Sequence, residues 1–162
     1  MKNFFVALVL VMGLVSSLFA QNKDSFENKT GIGIDIGTLA GPGFSYKKLM
    51  NSGYGVKVIL TPPLFGKGKI VFYNFGLQLS KQIYSMRDCR FFLTGGVAVA
   101  YFDKKTVFSA PFISIDGEYR VADNQSFIIG LGWSLYSFTP ASDEMVYQSF
   151  PGFQFGYTYY IK

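Results

Sequence analysis

From Gly31 to the end of the chain, bulky apolar residues recur at every second position and gather on one face of each predicted strand, with exceptions such as Phe72. Period two is the spacing at which successive side chains of a β-strand point to opposite faces, and no stretch of this region keeps a helical period instead. In 69–84, Val71, Tyr73, Phe75, Leu77 and Leu79 share one face, and Asn74, Gly76, Gln78 and Ser80 the other. In 126–138, Phe127, Ile129, Leu131, Trp133 and Leu135 oppose Gly130, Gly132 and Ser134. The chain closes on the same pattern, with Phe153, Phe155, Tyr157, Tyr159 and Ile161 alternating with Gln154, Gly156 and Thr158. Turn residues divide the region into eight predicted strands, at 31–38, 43–50, 54–62, 69–84, 90–102, 107–121, 126–138 and 149–161.

Alternation of this kind occurs in soluble sandwiches and barrels as well, so the side-chain sizes matter more. A barrel of eight strands is only just wide enough to be filled by side chains. It has no room for this chain's whole set of bulky residues, in which aromatics alone make up 19% of the sequence. The opposite face carries Gly, Ala, Ser and Thr with a few charges, which suits a narrow interior. The expected arrangement is therefore inverted, with bulky residues facing lipid and small and polar ones facing the lumen. The links agree with a transmembrane barrel, in which one end has short turns and the other longer loops. "MNSGYG", "SMRDCR" and "VADNQ" are short, whereas "TPPLFGKGK", "FDKKTVFSA" and "TPASDEMVYQ" are longer and "LAGPG" is brief. Pro42, Pro62, Pro63, Pro111, Pro140 and Pro151 all fall at or near the longer-loop end, where a missing N–H breaks no central ladder bond. An open sheet edge in hydrocarbon leaves backbone groups unpaired, so the last strand is expected to pair with the first. Tyr46, Tyr73, Tyr101, Trp133, Tyr157 and Tyr159 suit interfacial aromatic girdles.

The first residues read differently. Lys2, the apolar run Phe4–Val15 and the small residues up to Ala20 follow the pattern of a secretory signal peptide. The run is shorter than the ~20 residues a membrane-spanning helix needs. The expected organisation is a signal peptide at 1–20, a short tail at 21–30 and the barrel at 31–162. Cys89 is the single cysteine, so the exported domain is expected to hold together without a disulfide. The formal charge of +5 is spread along the chain rather than clustered into the basic patch of a nucleic-acid binder.

The chain resembles the small eight-stranded bacterial outer-membrane β-barrels of the OmpA-like and OmpX-like group. The resemblance covers the architecture from about residue 31 onward and one local motif in the last strand. That assembly signal reads polar, any, Gly, any, any, aromatic, any, hydrophobic, and here it looks like Gln154, Gly156, Tyr159 and Ile161. The resemblance implies an all-β, up-and-down transmembrane barrel in the outer membrane of a diderm bacterium. It further implies recognition by the outer-membrane insertion machinery and contact with membrane lipid and lipopolysaccharide, as a monomer without cofactor. Lys67, Lys69, Lys104 and Lys105, in the longer links, are either solvated or paired with anionic headgroups.

The projected lumen carries Asp35, Lys47, Lys57, Asp116, Glu118 and Arg120, three acids and three bases. Buried charges persist when paired and hydrogen-bonded, so the balance points to an internal ion-pair network. Two other uses stay open: a polar track for small solutes, and a catalytic carboxylate pair at Asp116 and Glu118. The sequence has no His, so Ser–His and Cys–His nucleophilic pairs are excluded. No His or Cys cluster suggests a metal site, and Asp143 with Glu144 reads as a loop tip. A structural or surface-interaction role in the outer membrane is therefore expected. The alternatives are a secreted lipocalin-like carrier of a small apolar ligand, or a narrow solute channel. The carrier's G-x-W signature belongs near the first strand, whereas "GLGW" stands in the seventh here.

Overall fold

The structure, a computed structural model, describes residues 29–67, 69–102, 105–138 and 146–161. The expected signal peptide, most of the tail, Lys104, Pro140, Asp143, Glu144 and Lys162 lie outside these residues. Eight strands follow one another: β1 (Lys29–Gly37), β2 (Gly43–Leu49), β3 (Tyr54–Gly66), β4 (Lys69–Ser85), β5 (Cys89–Phe102), β6 (Lys105–Ala122), β7 (Gln125–Phe138) and β8 (Val146–Ile161). Each pairs antiparallel with the next, and the ring closes where β8 meets β1, from Thr30↔Ile161 to Gly37↔Gln154. Closure leaves β1 paired on both sides, with β2 and with β8.

Burial is inverted, as the residue sizes predict. Phe44 (69% exposed), Ile36 (63%), Leu79 (62%) and Leu131 (67%) stand on the outer wall. Their polar neighbours Gln78 and Gln154 are 1% exposed, and Thr158 is fully buried. Along β8 the two sets alternate residue by residue from Gly152 to Ile161.

The ends of the barrel differ. At the turn end, β2–β3 is closed by a tight turn in which Met50 and Tyr54 are bridged (N to O, 2.8 Å) and Gly53 takes a positive φ of 76°. At the other end, two of the links expected to be long loops, β3–β4 and β5–β6, are largely strand. β3 runs on to Gly66 and pairs with β4 up to Gly66↔Lys69, and β6 starts as early as Lys105. Pro62 and Pro63 do not interrupt this, because they sit inside the register shift between Thr61 and Leu64, and Pro111 sits in the shift between Ser109 and Phe112. Tyr73 stacks on Tyr101 across β4 and β5, with ring centroids 5.3 Å apart.

The link Thr38–Pro42 is not an outer loop. It folds into the mouth of the barrel, where Leu39 and Ala40 are fully buried against Ile59, Ala98 and Phe112.

Candidate functional site

The lumen is the part of the fold where chemistry-bearing side chains converge, and it is filled in three layers. Uppermost is the inturned link. Asn74 Nδ2 donates to Ala40 O (3.0 Å) and Pro42 O (2.9 Å), Thr61 Oγ1 donates to Pro42 O (2.5 Å), and Tyr136 OH donates to Thr38 O (2.8 Å). Gly41, at a φ of 74°, makes the turn that a side chain there would block against Asn74.

The middle layer is built on Asp35. Its Oδ1 accepts from Lys57 Nζ (2.8 Å) and from Gln154 Nε2 (2.6 Å), and Gln154 Oε1 accepts from Gln78 Nε2 (2.5 Å). Asp116 is held by two hydroxyls, Thr94 Oγ1 (2.6 Å) and Ser114 Oγ (2.8 Å). Both aspartates face glycine across the ladder, Asp35 opposite Gly156 and Asp116 opposite Gly130. A Cβ at Gly156 would lie 2.5 Å from Asp35 Oδ1, so the missing side chain is what gives that carboxylate its room.

The layer nearest the turns is built on Glu118. It accepts from Lys47 Nζ (2.6 Å), Arg90 Nη2 (2.6 Å) and Tyr160 OH (2.7 Å). The Lys47 ammonium lies 4.8 Å from the centre of the Phe92 ring, and Phe92 packs with Leu49 and Tyr160 beneath it.

Two of these bonds cross the full width of the barrel. Lys47 on β2 meets Glu118 on β6, and Gln78 on β4 meets Gln154 on β8, in each case strands four apart in a ring of eight. A lumen that side chains span by direct contact is closed at that height. A cavity of about 10 Å³ beside them, lined by Lys47, Lys57, Gln78, Thr94 and Asp116, is no larger than a single water.

Of the six lumen charges read from the sequence, the structure joins Asp35 to Lys57 and Lys47 to Glu118. Asp116 lies among them on hydroxyl donors and forms no ion pair among the described residues. Arg120 is not part of the network. Its side chain is half-buried beside the β6–β7 turn, and the cation that joins Lys47 at Glu118 is Arg90, the residue directly opposite Glu118 in the β5–β6 register. Arg90 continues the inward face of Phe92 and Thr94, and Tyr160 that of Gln154 and Thr158, so period two carried a signal for both. Asp116 and Glu118, which share a strand face, are bound by separate sets of donors.

The four residues of the candidate assembly signal divide between the two faces. Gln154 and Gly156 are buried in the lumen around Asp35, whereas Tyr159 and Ile161 are exposed on the outer wall. The chain matches no protein-family model and no curated protein sequence.

Proposed function

We propose that this chain is an integral outer-membrane β-barrel protein, exported through a cleaved N-terminal signal peptide and closed to solutes by its own side chains. Its role is then structural or one of surface interaction, played by the ends of the barrel rather than by its lumen. The observation that carries the reading is the inverted burial. A belt of large apolar side chains covers the outside of a closed ring, while carboxylates, ammonium groups and amides fill the inside. Water would have to solvate that belt at about 25 cal/mol per Å² of apolar surface, whereas hydrocarbon does not. A closed sheet is also one of the two structures whose backbone is satisfied in lipid. Contact with outer-membrane lipid and lipopolysaccharide, and assembly by the barrel insertion machinery, follow from this reading and from the resemblance in the last strand.

The lipocalin-like carrier is the second reading that an eight-stranded barrel admits. It calls for an apolar interior cavity, and a lumen lined by Asp35, Lys57, Gln78, Gln154 and Glu118 is the opposite lining. The narrow channel calls for a water-filled path, against which the cross-lumen bonds count.

Cell fractionation with gel mobility of unheated and boiled samples tests the reading. Recovery with the outer membrane and heat-modifiable migration are expected; a freely soluble periplasmic protein would end it. In planar bilayers the barrel is expected to show no reproducible conductance steps, and such steps would overturn the closed lumen.

A further inference from the structure

The outer wall is almost devoid of charge. Apart from Lys69 at the tip of the β3–β4 hairpin, the described side chains that point outward from the strands include two charges, Lys48 and Lys81. Both are cations at the turn end, and they flank the same strand, with Lys48 opposite Val56 and Lys81 opposite Tyr54 on β3. Two strand spacings and two residues of offset put their backbones about 10 Å apart sideways and about 7 Å along the strand. Two extended lysine side chains close that gap.

The pair is partly arranged in advance. Lys81 Nζ lies 3.9 Å from the centre of the Tyr54 ring and donates to Ser52 O (2.9 Å), which uses one of its three donors. Lys48 is exposed and has no partner among the described residues. Among the described residues no carboxylate answers them on the wall, since Asp35, Asp116 and Glu118 are inside and Asp88 and Asp123 belong to the other two turns. A lysine on a lipid-facing wall is costly at the midplane and costs about 0–1 kcal/mol near the interface, so these two mark headgroup depth. The anion found at that depth is phosphate.

We infer that Lys48, Tyr54 and Lys81 form a binding site for the phosphate of a phospholipid in the leaflet at the turn end, with anionic headgroups preferred. The site rests on the membrane reading above.

The test is native mass spectrometry of the purified chain released from detergent, titrated with phosphatidylglycerol or phosphatidylcholine. A cation near a lipid surface contributes about fivefold in affinity for an anionic lipid. Lys48→Gln is therefore expected to lower the preference for phosphatidylglycerol about fivefold, and Lys48→Gln with Lys81→Gln about 25-fold. Lys48→Arg should keep the preference, and Lys69→Gln at the opposite end should not change it. Equal retention of the two lipids by the unmodified chain, or an undiminished preference in the double variant, would overturn the site. Displacement of phosphatidylglycerol by inorganic phosphate would assign it to a soluble anion instead. Flotation with vesicles of phosphatidylcholine alone separates the two levels. A chain that does not float defeats the membrane reading, and one that floats but shows no lipid preference defeats only the site.

Discussion

Glu118→Ala is the sharpest perturbation the lumen offers. The carboxylate is held by three donors within 2.7 Å, two of them cations, and all four groups are largely shielded from solvent. Removing it leaves the Lys47 ammonium and the Arg90 guanidinium facing each other without an anion between them. Breaking a buried ion pair by deleting one partner costs about 3–5 kcal/mol, because an uncompensated charge stays behind. Loss of the Tyr160 hydrogen bond adds about 1 kcal/mol. The expected loss is therefore about 4–6 kcal/mol, set mainly by the stranded cations rather than by the missing contacts. Urea titration of the barrel in lipid vesicles, followed by the gel shift between folded and boiled forms, would read it. A companion variant isolates the cause. Lys47→Met, Arg90→Met and Glu118→Met together remove every charge of the layer, and are expected to restore most of the stability or exceed it. A loss below about 1 kcal/mol for Glu118→Ala, the range of an exposed ion pair, would refute the argument, because the layer would then be solvated rather than sealed.

Other variants probe the wall, the mouth and the residue that stands apart. Leu77→Arg, on the outward face of β4, is expected to cost about 2–4 kcal/mol in vesicles if it sits near the midplane, while Gln78→Arg, next to it but facing inward, should respond to the packing around Gln154 instead. Asn74→Ala withdraws both donors from the inturned link and leaves Ala40 O buried without its partner, a cost of about 1–3 kcal/mol in the same titration. Asn74→Asp should be worse than Asn74→Ala, since an ionised carboxylate would face two carbonyl oxygens. Arg120→Ala, half-exposed and outside the network, is expected to change stability by no more than about 0.5 kcal/mol.

The strands and their faces were legible in the sequence because alternation is a local property. Two residues suffice to tell inside from outside, so Ile34 and Leu131 could be placed outward and Thr158 inward without knowing the neighbours of any strand. Local reading failed where two segments compete for the same residues. The stretch around Pro62 and Pro63 reads as loop, yet a register shift absorbs both prolines while Leu64 and Phe65 go on pairing with β4. The link Thr38–Pro42 reads as a short turn, and nothing within it says that Leu39 turns inward. Its burial depends on Ile59, Ala98 and Phe112, which come from three other strands.

The lumen shows the same division. Composition along the inward faces established that three acids and three bases would share a narrow interior. Which of them meet was decided by the closed ring alone. Lys47 and Glu118 are 71 positions apart, and only closure at a fixed stagger brings β2 and β6 face to face across the lumen. Arg90 rather than Arg120 completes the layer for the same reason, since register puts Arg90 directly opposite Glu118 whereas Arg120 stands farther along the same face, beside the turn. Periodicity is written in neighbouring residues and survives in the sequence, whereas register and stagger are properties of the whole sheet and exist only once the barrel has closed.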